Sequence, residues 1–171
     1  MGEATKTPRI WSVRAAAEDL CDARRSWLLC RSGAHLFALP LATVIETMRP
    51  LPIKVVAGAP TCVRGMAIVR GAPVPVVDFG RLLRDEATQF ERLVTVATGT
   101  RTIALGVEAV LGIRSIGPEQ LGELPPLLSA AASETIAAIG TLDAELLFCL
   151  RDARIVPEDL FDRLDAQEPD P

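Results

Sequence analysis

From Trp27 onward the chain is built of short apolar runs, each bounded by glycine, proline or a small polar cluster. Runs of that length, rich in Val, Ile and Leu and flanked by turn residues, predict strands. "WLLCRS" and "HLFAL" flank Gly33-Ala34 as a hairpin, and "PLATVIETMRPLP" makes a tight turn before a strand carrying Val44, Ile45 and Glu46. Pro50, Pro52 and Pro60 punctuate a loop expected to end in "TCVRG". "GMAIVR" and "PVPVVD" then pair across Arg70-Gly71-Ala72, and "RLVTVAT" pairs with "RTIALGV" across Gly99-Thr100, another hairpin signal. A further strand, "EAVLGIRSI", precedes an irregular connection from Gly117 to Ser133. "ETIAAIGTLDAELLFCL" reads as two strands around Leu142-Asp143-Ala144.

Two features lie outside this rhythm. Residues 1–26 form an Ala-rich, charge-broken extension whose apolar side is weak, expected as a frayed or surface-laid helix. At the other end, "VPEDLFDRL" predicts a short helix with Pro157 in its first turn and acids near its positive end, followed by a tail at 165–171. Between them, many short strands and little helix predict an all-β barrel or sandwich. Pro73 and Pro75 constrain one strand of it. Residues two apart direct their amides to the same side, so these prolines remove donors along one edge. That flank must be an edge, a bulge, or covered by something other than a regular neighbour.

Composition narrows the function. A chain of 171 residues can bury about 70% of its unfolded surface, and a hydrophobic content of 49% excludes general disorder. With 18 basic and 22 acidic residues the net charge is −4, and no basic cluster is long enough to follow a phosphate backbone, which argues against nucleic acid. No apolar run approaches the ~20 residues that span a bilayer, so no direct membrane insertion is expected. Cys21, Cys30, Cys62 and Cys149 are widely spaced, with a single histidine, His35; they read as reduced, buried packing residues of a cytoplasmic protein, not as a zinc set.

One tripeptide suggests catalysis. Asp78-Phe79-Gly80 is the magnesium-holding signature of protein kinases, but the companions that phosphoryl transfer needs are missing. Lys6 and Lys54 sit in the wrong contexts, no His-Arg-Asp follows, and no two glycines have Gly-x-Gly spacing. Asp78 instead follows an apolar strand and precedes a short helical run, so its carboxylate is expected to cap that helix. A hydrolase built on Asp78 and Glu108 would need two acids close together in a pocket, and their placement gives that no support. No enzyme activity, cofactor or metal is expected.

The order of the pieces resembles the CheW family of chemotaxis coupling proteins. The landmarks are "HLFALPLATVIET", "PTCVRGMAIVRGAPVPVVDFGRLL", "TIALGVEAVLGI" and "IGTLDAELLFCL", in order and naturally spaced over residues 27–164. The middle segment is the most specific: a basic residue and glycine, a short strand, Arg-Gly, then Pro-Val-Val-Asp. The resemblance implies two small SH3-like five-stranded β-barrels packed side by side with a core between them. It also implies a non-enzymatic adaptor bridging the cytoplasmic tips of methyl-accepting chemoreceptors and the regulatory domain of a CheA-type histidine kinase. Carried over by position, Val44 and Glu46 match its Val-x-Glu, Arg64-Gly65 its basic residue and glycine, and Arg70-Gly71 its Arg-Gly. Phe79 departs from the usual Leu, Ala67 from a common Asn and Glu108 from a common Asp. These six matching positions are the expected partner-binding set. Arg64 is expected to be exposed and Val44 to serve the core at least as much as a contact. Arg70 is either a contact or the partner of Glu46 in a partly buried ion pair at the groove between the barrels. A related module of a non-motility signalling array fits the same pattern.

Overall fold

The protein is described here from a computed structural model covering residues 25–84, 87–122, 124, 135–151 and 162. Its strands form two sheets. The first has the order β8-β1-β2-β11-β10-β9, with β1 (Arg25–Ser32), β2 (His35–Pro40), β8 (Ala109–Ile116), β9 (Leu121–Gly122), β10 (Ile136–Leu142) and β11 (Glu145–Leu150). The second has the order β3-β6-β7-β5-β4, with β3 (Val44–Met48), β4 (Val63–Val69), β5 (Ala72–Asp78), β6 (Arg92–Thr98) and β7 (Arg101–Val107). A contiguous middle stretch therefore builds the second sheet, while strands from both sides of it build the first. All pairings are antiparallel except β11 with β2 and β5 with β7. The four expected hairpins form as β1–β2, β4–β5, β6–β7 and β10–β11.

Two details differ from the sequence reading. The first sheet has a sixth member, β9, whose two residues pair with Ile139 and Gly140 and are too few to show a period. "TCVRG" does not close a loop: β4 begins at Val63, so Arg64 and Gly65 lie within the strand, at a bulge opposite Val76 and Val77. Of the expected N-terminal extension, Arg25 and Ser26 belong to β1 and the rest lies outside the described residues, as does the C-terminal helix, apart from helical Asp162.

Why so many of these strands are apolar at consecutive positions follows from their place between two cores. In β1, Leu28 and Cys30 enter one apolar cluster while Trp27 and Leu29 enter another; in β2, Phe37 and Leu39 divide from Leu36 and Ala38 in the same way. Likewise in β7, Ile103, Leu105 and Val107 face away from Ala104. Side chains alternate across a strand, so a strand buried on both faces reads as a continuous apolar run. The shared cluster draws on both sheets and holds them together, and each sheet has a second cluster on its far side.

The prolines of β5 set its neighbours. Pro73 and Pro75 lie opposite Ile68 and Met66 of β4, and pairing with β7 starts only at Val76, opposite Ala104. The flank without donors is thus left unladdered until the last proline has passed.

Asp78 closes this strand. Its side chain is wholly buried, and its Oδ1 accepts from the amides of Gly80 (3.1 Å) and Arg81 (3.3 Å) at the start of α1 (Phe79–Arg84), the expected helix cap. The same carboxylate accepts from the Thr88 hydroxyl at 2.8 Å and the Thr88 amide at 3.3 Å. Thr88 Oγ1 in turn accepts from Ser32 of the first sheet at 3.4 Å. The polar stretch after α1 is therefore anchored to the strand end. Replacing Asp78 by Ala strands a helix cap, usually worth ~1 kcal/mol, and part-buried donors that cost ~1–3 kcal/mol when left unmet. Denaturant unfolding of Asp78→Ala should show a loss of about 2–4 kcal/mol; a loss below about 1 kcal/mol would contradict this role.

Candidate partner-binding surface

Five of the six expected contact residues sit on the β4–β5 hairpin or are joined to it, and Val44 lies on the nearby edge strand β3. That strand alternates between half-buried Val44, Glu46 and Met48 and exposed Ile45 and Thr47. Val44 packs against the shared core, so it serves folding first. The register shifts between Val44 and Glu46, leaving Ile45 unpaired with β6 and 54% exposed.

The hairpin turn is Arg70-Gly71, with φ of 50° and 84°. Two successive positive φ values in a two-residue loop are the type I′ geometry that matches strand twist, and glycine takes the second position without strain. The turn projects Arg70 toward β3. Its Nε and Nη2 donate to Glu46 Oε1 and Oε2, each at 2.7 Å. β3 and β4 are opposite edges of the second sheet and share no ladder, so this fork joins two otherwise separate margins. The expected partly buried groove pair is corrected in one respect: the Arg70 side chain is 79% exposed. The turn lifts it off the sheet, so solvent screens the pair.

Arg64 is exposed, as expected, with 40% of its side chain open to solvent. It lies 3.7 Å from Asp78 Oδ2, and its guanidinium carbon sits 5.7 Å from the centre of the Phe90 ring. Gly65 has a steric task. At φ 140°, a Cβ there would lie 2.1 Å from the Lys54 carbonyl oxygen. Its absence admits the segment that bridges Lys54 to Met66 through two 2.8 Å backbone bonds.

The remaining candidates have structural partners. Glu108 accepts from the Gly33 amide at 2.9 Å, fastening the β1–β2 turn, and His35 stacks on Phe148. Burial pushes the Cys30 and Cys149 thiols up to about 12, so both stay protonated at neutral pH and act as packing groups. Sequence reasoning missed Thr88, Phe90 and Ser32, because none carries a motif: Thr88 and Ser32 meet only where the two sheets meet, and Phe90 depends on its packing over Gly106.

The arrangement is a surface with positioned guanidinium groups and no assembled nucleophile or acid pair among the described residues. The CheW-like domain family matches residues 26–159. The chain belongs to the CheW-like family. Chemotaxis protein CheW of Klebsiella aerogenes is 20% identical over 126 residues, 72% of this chain and 76% of that protein. The crystal structure of the scaffolding protein TtCheW from Thermoanaerobacter tengcongensis superposes with a TM-score of 0.67 at 18% identity, covering 75% of this chain and 90% of that one. At that identity the superposition establishes a shared fold. In this CheW-like chain Phe79, in place of the usual Leu, stacks on Phe37 with ring centroids 3.8 Å apart, adding an aromatic contact at the centre of the shared core.

The Glu46–Arg70 fork gives a pH dependence of defined sign. The hydrogen bond from Arg70 holds the Glu46 carboxyl below its usual 4.5; desolvation opposes this and the Arg70 charge adds to it. A carboxyl lowered in the folded state stabilises above its unfolded pKa, and that contribution fades as pH falls through the folded value. Paired denaturant melts of wild type and Glu46→Gln should therefore differ by a constant amount above about pH 5 and converge on acidification below it. A gap that persists to about pH 3, or widens, would contradict the fork.

Proposed function

We propose that this chain is a non-enzymatic adaptor of bacterial chemosensory signalling. In this reading it works in the cytoplasm, at membrane receptor arrays, coupling the cytoplasmic tips of methyl-accepting chemoreceptors to the regulatory domain of a CheA-type histidine kinase. The observation that carries the reading is the CheW-like match over residues 26–159, which takes in both sheets and the whole candidate surface. Physical features support it. Asp78, the one residue with a kinase-like signature, is buried with its oxygens engaged by Gly80, Arg81 and Thr88, so it has no room for a metal-bound phosphate. Among the described residues no helix is long and apolar enough to cross a membrane.

The partner-binding surface is proposed to comprise Val44, Glu46, Arg64, Gly65, Arg70 and Gly71. Their tasks differ. Gly65 and Gly71 shape the backbone, Val44 anchors β3, and Glu46 with Arg70 holds β3 against the hairpin. Arg enrichment at interfaces favours the guanidinium groups as the points of contact.

Titration calorimetry of the purified chain against the kinase regulatory domain and a receptor-tip hairpin from the same genome tests the reading. Binding to both fragments is expected, with Glu46→Ala and Arg70→Ala each weakening one of them by about tenfold, the scale of an interface hot spot. The double variant should be no worse than either single one, because the two residues act as one clamp. Absence of binding to both fragments by the folded wild type would overturn the proposal.

A further inference from the structure

The two arginines of the surface differ in what they have left to offer. Arg70 commits Nε and Nη2, one whole edge of its guanidinium, to Glu46. Arg64 is held by a charge and a ring but, among the described residues, donates no hydrogen bond: its polar contact is the 3.7 Å approach to Asp78. That distance exceeds the 2.7–3.2 Å of an N–H···O bond. Asp78, for its part, has Gly80, Arg81 and Thr88 as donors, so Arg64 is not needed to satisfy it.

The platform under Arg64 is built by close packing. Phe90 lies against Gly106, where an added Cβ would come within 2.5 Å of the ring. Gly106 is the β7 residue opposite Asp78, so the ring and the carboxylate that flank Arg64 are fixed by one register. A guanidinium over an aromatic face within about 6 Å is attracted to it and loses rotational freedom. Its hydrogen-bonding edge is then presented with part of the ordering cost already met.

The bulge at Gly65 sets this platform apart from the rest of the hairpin. Phe90 packs with Ala67 and Val69 on one face of the second sheet, while Met66 and Ile68 alternate to the other, opposite Pro75 and Pro73. The hairpin therefore carries an uncommitted guanidinium over Phe90 at its base and the committed Arg70 turn at its tip.

We propose that Arg64 is the anchor of this surface for a carboxylate side chain on a partner protein, and that Phe90 and Asp78 are its positioning residues. This rests on the adaptor reading and refines it: the Glu46–Arg70 fork is a brace, and the acidic group of the partner goes to Arg64. Bidentate pairing of a planar guanidinium with a carboxylate supplies the specificity, and a lysine cannot reproduce it.

The test is a double-mutant cycle of Arg64→Gln and Phe90→Leu, with binding to the kinase regulatory domain and to the receptor-tip hairpin measured by calorimetry at two salt concentrations. Phe90→Leu keeps an apolar plug beside Gly106 but removes the π face, and thermal melts establish that each variant is folded. Arg64→Gln should weaken one fragment about tenfold and flatten its salt dependence. Phe90→Leu should weaken the same fragment severalfold in wild type and have no effect in the Arg64→Gln background, a coupling that a merely structural role would not produce. Arg64→Lys should restore only part of the loss. If folded Arg64→Gln binds both fragments like wild type, or Phe90→Leu costs the same with and without Arg64, the inference is overturned. If wild type binds neither fragment, the adaptor reading itself falls and takes this inference with it.

Discussion

A buried carboxylate is the constraint on which the rest of the surface depends. Asp78 ends β5 as the last residue of that strand's short ladder with β7, and one carboxylate then fixes the start of α1, the Thr88 loop and the flank of Arg64. Burying a charge is costly unless it is hydrogen-bonded, and the backbone and hydroxyl donors gathered here meet that demand. Through Thr88 and Ser32 the same group reaches the first sheet, so the relation between the sheets is fixed by polar contacts as well as by their shared core. The Asp-Phe-Gly that suggests phosphate chemistry in the sequence is an architectural joint in the fold.

Much of the architecture was legible in the sequence because period and turn chemistry are local. Gly33-Ala34, Arg70-Gly71-Ala72 and Leu142-Asp143-Ala144 each mark a hairpin that forms, and the prolines of β5 correctly announce a flank that cannot carry a regular ladder. What was not legible depends on contacts between distant segments. β4 starts two residues earlier than its apolar run suggests, because the bulge at Gly65 answers to Lys54 and not to any local pattern. The two-residue β9 exists only because β10 is there to receive it.

The candidate site divides along the same line. Glu46 and Arg70 were found together from the family pattern, and they do pair, but their exposure is set by a type I′ turn whose outward reach the sequence does not encode as burial. Arg64 is exposed, as expected of a contact; its placement beside Asp78 and Phe90, which the sequence did not show, comes from the Asp78–Gly106 register and from the loop after α1. Phe90 carried one faint signal, a lone aromatic in a chain with only 4% aromatic content. A scaffold has no reaction to perform, and these parts suit it: their common product is a set of side chains held still.

The central claim is that Asp78 makes the Thr88 loop part of the folded core. Native-state amide hydrogen exchange tests it most directly at the Thr88 N–H, which has the Asp78 carboxylate as its acceptor. If the claim holds, this amide exchanges at the slow, globally limited rate of the β5 and β7 amides, unlike ordinary loop amides that exchange through local opening. Fast exchange at Thr88, while β5 and β7 stay protected, would contradict it.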